Sequence, residues 1–206
     1  MDQPLGIRKA QKLATRQKVL KAARELFAEI GYEDATIRVI AERAGVSIGG
    51  VFTTFASKAE VLQHVVYDWA EEGLYQELER RIPELEGSTA DRLVGVMRVI
   101  FSFDSQRPKV MLAHIGLAFD PYPAPGARPF GHNQRLLGHM RQVLLDGITR
   151  GEVSPDVDVD LIVDTVAGAY AWNFRMVAHG AGEAEIMGLF ARQVEMIARG
   201  FAAKAS

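Results

Sequence analysis

Residues 36–58 read Thr-Ile-Arg-Val-Ile-Ala-Glu-Arg-Ala-Gly-Val-Ser-Ile-Gly-Gly-Val-Phe-Thr-Thr-Phe-Ala-Ser-Lys. Ile37, Ile40, Ala41 and Ala44 recur at helical spacing, so Thr36 reads as the N-cap of a helix about two turns long. Gly45 stands where that helix must stop, because glycine takes the left-handed conformation without steric cost. Ser47 is a second N-cap, and Val51, Phe52 and Phe55 give the next short helix its buried side. Ser57 caps a third helix, with Glu60 three residues on to complete a capping box. Two short helices around a glycine turn, with small Ala41 where they cross, have the geometry of a helix-turn-helix. A plain helical hairpin is the bland reading of the same pattern.

Upstream, residues 16–32 read Arg-Gln-Lys-Val-Leu-Lys-Ala-Ala-Arg-Glu-Leu-Phe-Ala-Glu-Ile-Gly-Tyr. Joined to the first stretch, they closely resemble the DNA-binding domain of the tetracycline-repressor (TetR) family, without a gap over residues 16–62. The resemblance implies an all-α chain of about nine helices. Residues 1–58 would form a three-helix DNA-binding domain and residues 59–206 an effector-binding and dimerisation domain. It also implies a ligand-responsive repressor that binds a palindromic double-stranded operator as a homodimer.

Carried over position by position, the resemblance assigns Arg38 a bidentate guanine contact. A solvated helix arginine is the alternative. Ser47, Ile48, Gly49, Gly50 and Thr53 would face the groove, and Thr36 and Lys58 match positions that touch phosphate. Two positions depart from the family. Phe52 stands where tyrosine is usual and so lacks the hydroxyl that reaches a phosphate. Thr54 stands in place of histidine or tyrosine and keeps one short donor. Gly49 and Gly50 offer no side-chain readout, which leaves Ile48 against a thymine methyl, and DNA shape, to carry specificity.

The whole chain is compatible with this reading. At 206 residues it is long enough to bury a proper core. It has no cysteine, which excludes disulfides, thiol nucleophiles and zinc-thiolate sites and suits the cytoplasm. The N-terminus has no signal-peptide core, and the longest uncharged apolar runs are about half a membrane span. The net charge of −2 hides an asymmetry. Residues 1–58 hold ten Lys/Arg against six Asp/Glu, while residues 59–206 hold fourteen against twenty. A basic head on an acidic body suits nucleic-acid binding by the head alone, although solvated surface charge would look similar.

In chain order, residues 8–18 are basic and poor in apolar groups. They read as a mobile arm that reaches DNA phosphates or as a disordered tail. The first helix follows to Ile30 and Gly31 ends it. A long helix over 58–81 joins head to body and stops at Pro83. Further helices are expected over 89–104, 108–119, from about 132 to 150, 159–178 and 183–203, with a proline-rich loop over 120–131. Asp156, Asp158 and Asp160 invite a calcium-loop reading. Leu161 and Ala167 occupy the places of the required glycine and glutamate, so helix-start charge is the better explanation. The last two helices are apolar nearly all round and need a second cover. By resemblance, they pair with a second subunit in a four-helix bundle.

Phe103, Met111, His114, Phe119, Phe130, His139, Tyr170, Trp172, Asn173 and Met176 give the middle of the chain apolar walls with sparse polar anchors. Small-molecule sites have that make-up. A largely apolar, aromatic or amphipathic effector is expected, although each residue alone could simply fill a core. An all-α enzyme is the rival class, with His64, His114, His132, His139 and His179 as candidates. No metal-binding or nucleophile motif accompanies them, so no cofactor, metal or catalytic residue is assigned. A helical adaptor that has lost DNA binding is the other rival.

Overall fold

The computed structural model describes residues 3–126 and 133–202, and among these the regular elements are all helical. They are α1 (Gln3–Glu29), α2 (Gly31–Asp34), α3 (Ile37–Ala44), α4 (Ile48–Phe52) and α5 (Lys58–Trp69), followed by a π turn (Ala70–Leu74). Then come α6 (Tyr75–Arg81), α7 (Thr89–Asp104), α8 (Pro108–Gly116), α9 (Gln134–Thr149), α10 (Val159–Phe174) and α11 (Glu183–Phe201). The chain divides into two compact units, Met1–Trp69 with Lys109–Phe130, and Ala70–Pro108 with Gly131–Ser206. The expected boundary after Lys58 therefore falls inside the first unit. The reason is burial: Ala59, Val61, Leu62, Val65 and Trp69 turn the inner face of α5 into core, and α5 packs on α1.

Beyond the short extra helix α2 after the first, two helices differ from expectation. The basic stretch 8–18 is not an irregular arm; it is the N-terminal part of α1. Apart from Thr15 it holds only Lys, Arg, Gln, Ala and Leu, all good helix formers, with no breaker. The single helix expected over 58–81 is interrupted by the π turn. Ala70, Leu74 and Leu78 are buried at steps of four. At 3.6 residues per turn such a stripe rotates off its face by about 40° per step, and the wider turn returns it.

In the second unit, local chemistry sets the helix starts. Ser88 and Asp91 form a complete capping box at α7, and the Asn133 side chain accepts from the Leu136 N–H at α9. Asp158 Oδ1 accepts from the Leu161 N–H at 3.0 Å, so this acid caps α10. The Glu152 carboxylate accepts from both the N–H and the hydroxyl of Thr89 and is paired with Arg150. Arg150 first, and then the Thr89 hydroxyl, hold Glu152 down at about 2. The α10 inner face, Val163, Val166, Tyr170 and Phe174, packs with Phe101 and Phe190.

One polar group lies within that apolar packing. Asp104 at the end of α7 is 6% exposed and accepts a hydrogen bond from the Tyr170 hydroxyl at 2.9 Å. Burial pushes its carboxyl up to about 7, with the Tyr170 bond opposing in part. The folded form thus binds a proton that the unfolded form gives up at lower pH. Its contribution to stability is complete below the ordinary aspartate range and is lost as pH rises toward about 7. Asp104→Asn keeps an acceptor for Tyr170 and removes this titration. Its stability relative to the parent should rise by on the order of 1–2 kcal/mol between pH 5 and pH 8. Urea unfolding at the two pH values measures this, and an unchanged difference would show that Asp104 does not titrate in that window.

Candidate nucleic-acid interface

The basic head is built from the first unit. Thr36 Oγ1 accepts from the Val39 N–H at 3.3 Å and starts α3. At the other end Gly45 has φ 64, the left-handed region, and its N–H reaches back to the Ala41 and Glu42 carbonyls. Any side chain there would be strained. Ser47 Oγ then accepts from the Gly50 N–H at 3.0 Å and starts α4. Ile40, Ala41, Val51 and Phe55 are each 2% exposed or less and seat the two helices against α1. Arg43 pairs with Glu29 through two bonds of 3.1 and 3.0 Å. That pair is exposed and orients α1 and α3 more than it stabilises them.

The residues assigned to DNA fall into three groups. Arg38 is exposed on α3, and among the described residues no hydrogen bond or ion pair holds its guanidinium. Ile48, Gly49, Phe52 and Thr53 lie exposed on α4 and its last turn, and Gly50 is half-buried beside them. Thr36 and Ser47 are exposed but committed as caps. Phe52 corrects the sequence reading: it is 53% exposed, whereas Val51 is fully buried and Phe55 is 2% exposed. Val51 and Phe55 are four apart and share the inner face, and Phe52 lies about 100° round from Val51.

The hydroxyls are also engaged. Thr53 Oγ1 donates to the Gly50 carbonyl at 2.7 Å, and Thr54 Oγ1 donates to the Val51 carbonyl at 2.8 Å. The short donor expected of Thr54 is therefore turned inward. Lys58 is half-buried, and its ammonium donates to the Tyr32 and Glu33 carbonyls at 2.8 and 3.2 Å. It also lies 4.1 Å from the Tyr32 ring centroid. Burial lowers its pKa, with Glu33 and Asp34 opposing.

Three contacts that support this surface were not read from the sequence. Arg16 stacks over the Phe55 ring at 4.4 Å. Ser57 Oγ donates to the Pro125 carbonyl at 2.7 Å, and Gly126, at φ 76, lies so close to Glu60 that a Cβ would meet its carboxylate at 2.6 Å. Glu60 in turn accepts from the Ala56 N–H, one residue before the cap position that a capping box would use. The proline-rich loop with Gly126 inside it was the available signal for this docking.

The expected effector residues divide between the units. In the first, Met111 and His114 are buried and Phe119 is 66% exposed, while Phe130 lies outside the described residues, as does His132. Burial pushes His114 down to about 4, which keeps it neutral. In the second unit Tyr170 and Asn173 are buried, Phe103, His139 and Met176 are half-buried, and Trp172 is 55% exposed. Asn173 Nδ2 donates to Gln193 Oε1 at 2.6 Å, and its Oδ1 has no partner. Phe119 and Trp172 are thus exposed. Trp172 shares an outward stripe of α10 with Leu161, Thr165 and Gly168. Asp104 is a buried acceptor that the sequence did not flag, because a lone acid ending an apolar helix looks like a surface terminus.

Among the described residues no group of three or more His, Cys, Asp or Glu could hold a metal ion, and no helix is long and apolar enough to cross a membrane. A family model described as bacterial regulatory proteins, tetR family, matches residues 19–65. The chain is 32% identical over 156 residues to the HTH-type transcriptional regulator SrpR of Pseudomonas putida, covering 75% of this chain and 70% of that one. It is 27% identical over 180 residues to the HTH-type transcriptional repressor AcnR of Corynebacterium glutamicum, covering 85% and 89%. Two solved structures share the fold. Thermus thermophilus FadR, a TetR-family repressor in complex with lauroyl-CoA, matches with TM-score 0.71 at 24% identity over 87% of this chain and 92% of that one. RolR in complex with resorcinol matches with TM-score 0.71 at 23% identity over 95% and 91%.

Lys58 separates a supporting role from a contacting one. Lys58→Met should cost about 1–2 kcal/mol of folding stability, from two carbonyl bonds and a cation–π contact. Denaturant unfolding reads that loss, and a variant as stable as the parent would mean that the ammonium does not hold the Tyr32 turn.

Proposed function

Because the chain belongs to the TetR family of bacterial regulatory proteins, a family of DNA-binding transcription regulators, we propose that it is a ligand-responsive repressor acting on a palindromic operator as a homodimer. The observation that carries the DNA half is the exposed face of α3 and α4. There an arginine without an intramolecular partner stands beside a short capped helix on a head with ten basic and six acidic residues. Arg38 supplies the bidentate donor for a guanine edge. The surface basic residues Lys18 and Lys21 of α1 supply the long-range attraction to the phosphates. The partner implies a cytoplasmic placement.

The second copy docks on α10 and α11. Leu161, Trp172 and Met196 are 63%, 55% and 67% exposed on these two helices, with Gly168 and Gly188 leaving room between. Apolar groups of this size on adjacent helices mark an interaction face. The effector is small and largely apolar. The support is the make-up of the half-buried set, together with Asn173 Oδ1 and His139 Nε2, two buried polar atoms without a partner. The structural neighbours FadR and RolR were solved with lauroyl-CoA and resorcinol, ligands that contain an acyl chain and an aromatic ring. An effector switches the protein by favouring the DNA-incompetent spacing of the two heads, and a coupling of about 5–150-fold in operator affinity is typical. α5 is the lever in this reading. It begins at Lys58, close to the recognition helix, and the chain leaves the first unit at its last residue.

Selection of bound duplexes from random DNA tests the reading. A palindrome should emerge, with half-sites about one helical turn or a multiple apart and affinity that falls steeply with salt. On that duplex Arg38→Ala should lose about 1–3 kcal/mol of binding and relax one base position. An equal loss on every sequence would make Arg38 a phosphate contact instead.

A further inference from the structure

We propose that the recognition surface reads thymine 5-methyl groups through apolar contact at close range. Ile48 and Phe52 form the contacting ridge, and the bare backbone at Gly49 lets it sit deep in the major groove. The proposal rests on the DNA-binding reading above and names the bases which that surface selects.

The chemistry of α4 points there. Ile48 and Phe52 are one turn apart, 46% and 53% exposed, and share a side of the helix, while Val51 and Phe55 hold the inner face. The polar groups nearby are turned back on the chain. Ser47 Oγ caps the Gly50 N–H, and the Thr53 and Thr54 hydroxyls donate to the Gly50 and Val51 carbonyls. The two threonines therefore have no proton left to donate to a guanine or adenine acceptor, and Ser47, which only accepts, keeps a single O–H at the helix start. In the major groove the group that an apolar side chain can contact with profit is the C5 methyl of thymine. The exposed guanidinium of Arg38 and the basic balance of the head make this face complementary to a polyanion.

The glycines give an independent observation. Glycine inside a helix costs stability relative to alanine, so each needs a reason. Gly50 has one within the chain: a Cβ there would meet Ser47 Oγ at 3.3 Å and press on the cap. Gly49 has none among the described residues. Its φ is not positive, and a Cβ would meet nothing nearer than Ser47 Oγ at 3.9 Å. An alanine would fit the folded chain and favour the helix. The missing side chain at residue 49 therefore serves something outside the chain, and a backbone that must approach another surface closely is the usual reason for such a glycine.

The test uses the full-length protein and the duplex it selects from random DNA. Each thymine of a half-site is replaced singly by deoxyuridine, which removes the 5-methyl and leaves base pairing and the groove's polar pattern intact. One or two positions per half-site should weaken binding about 4-fold each, the worth of one buried methyl-sized group. Ile48→Ala and Phe52→Ala should each erase the thymine-to-uracil difference at one position and leave the salt slope unchanged. Gly49→Ala should melt higher than the parent and bind the duplex at least 10-fold more weakly. Uracil duplexes that bind as well as thymine duplexes at every position would overturn the proposal with DNA binding still standing. So would a thymine preference that survives in both alanine variants, or a Gly49→Ala protein that binds like the parent. Phe52→Tyr that tightens binding equally on thymine and uracil duplexes would place the ring at a phosphate and remove Phe52 from the ridge. Failure to select any duplex would sink the DNA-binding reading itself.

Discussion

At Gly45 the backbone turns through φ 64 between a helix of eight residues and one of five. Neither helix is long enough to be stable alone in water, since the cost of nucleation is not recovered over so few residues. Their mutual angle is set instead by what surrounds the turn. The Thr36 and Ser47 caps satisfy donors at both helix starts, and the Gly45 N–H closes the end of α3. The buried quartet Ile40, Ala41, Val51 and Phe55 fixes the pair on α1. A side chain at residue 45 would strain the turn, and a lost quartet member would free the angle. Everything the outer face offers to DNA, from Arg38 to Phe52, depends on that angle.

The second unit meets its constraints in another way. Its helices are longer, and their packing leaves polar groups inside: Asp104 with Tyr170, and Asn173 with Gln193. A buried carboxyl without a cation is costly when ionised, which is why burial outweighs the Tyr170 bond and drives Asp104 toward its neutral form. Glu152 shows the opposite case. It too accepts from a hydroxyl, but Arg150 is beside it and the α7 N-terminus points an N–H at it, so its pKa falls. Two carboxylates in one unit are thus driven apart by their surroundings, not by their own chemistry.

What could be read from the sequence was what local rules decide. Thr36 and Ser47 cap helices because a short oxygen-bearing side chain before an apolar run does so in any context, and Gly45 turns for an equally local reason. The face of α4 was harder, since a five-residue helix has too few turns to define a stripe, and Phe52 was assigned inward with its neighbours. Lys58 was assigned to phosphate because it matches a phosphate-touching position in the family resemblance. Its bonds to Tyr32 and Glu33, about 25 residues earlier, are a tertiary fact. The π turn was visible only as a four-residue spacing in a helix assumed regular, and the unit boundary at Trp69 depends on pairings no local window contains.

A recognition surface built this way discriminates weakly at each base. An apolar contact with one methyl separates the right base from the wrong one by about a factor of 4, far less than a bidentate hydrogen-bonded pair provides. Arg38 is the one assigned base-contact side chain here with a fork of donors to offer. Specificity of useful size must therefore come from repetition. Penalties at separated base pairs add in free energy, so a second half-site multiplies each small factor by itself. On this account the exposed apolar groups of α10 and α11 are as much a part of sequence reading as α4. A head with sparse polar readout gains its selectivity only when two copies are held at one fixed spacing. That requirement also gives an effector its leverage, because a small change in spacing removes both half-sites' contributions at once.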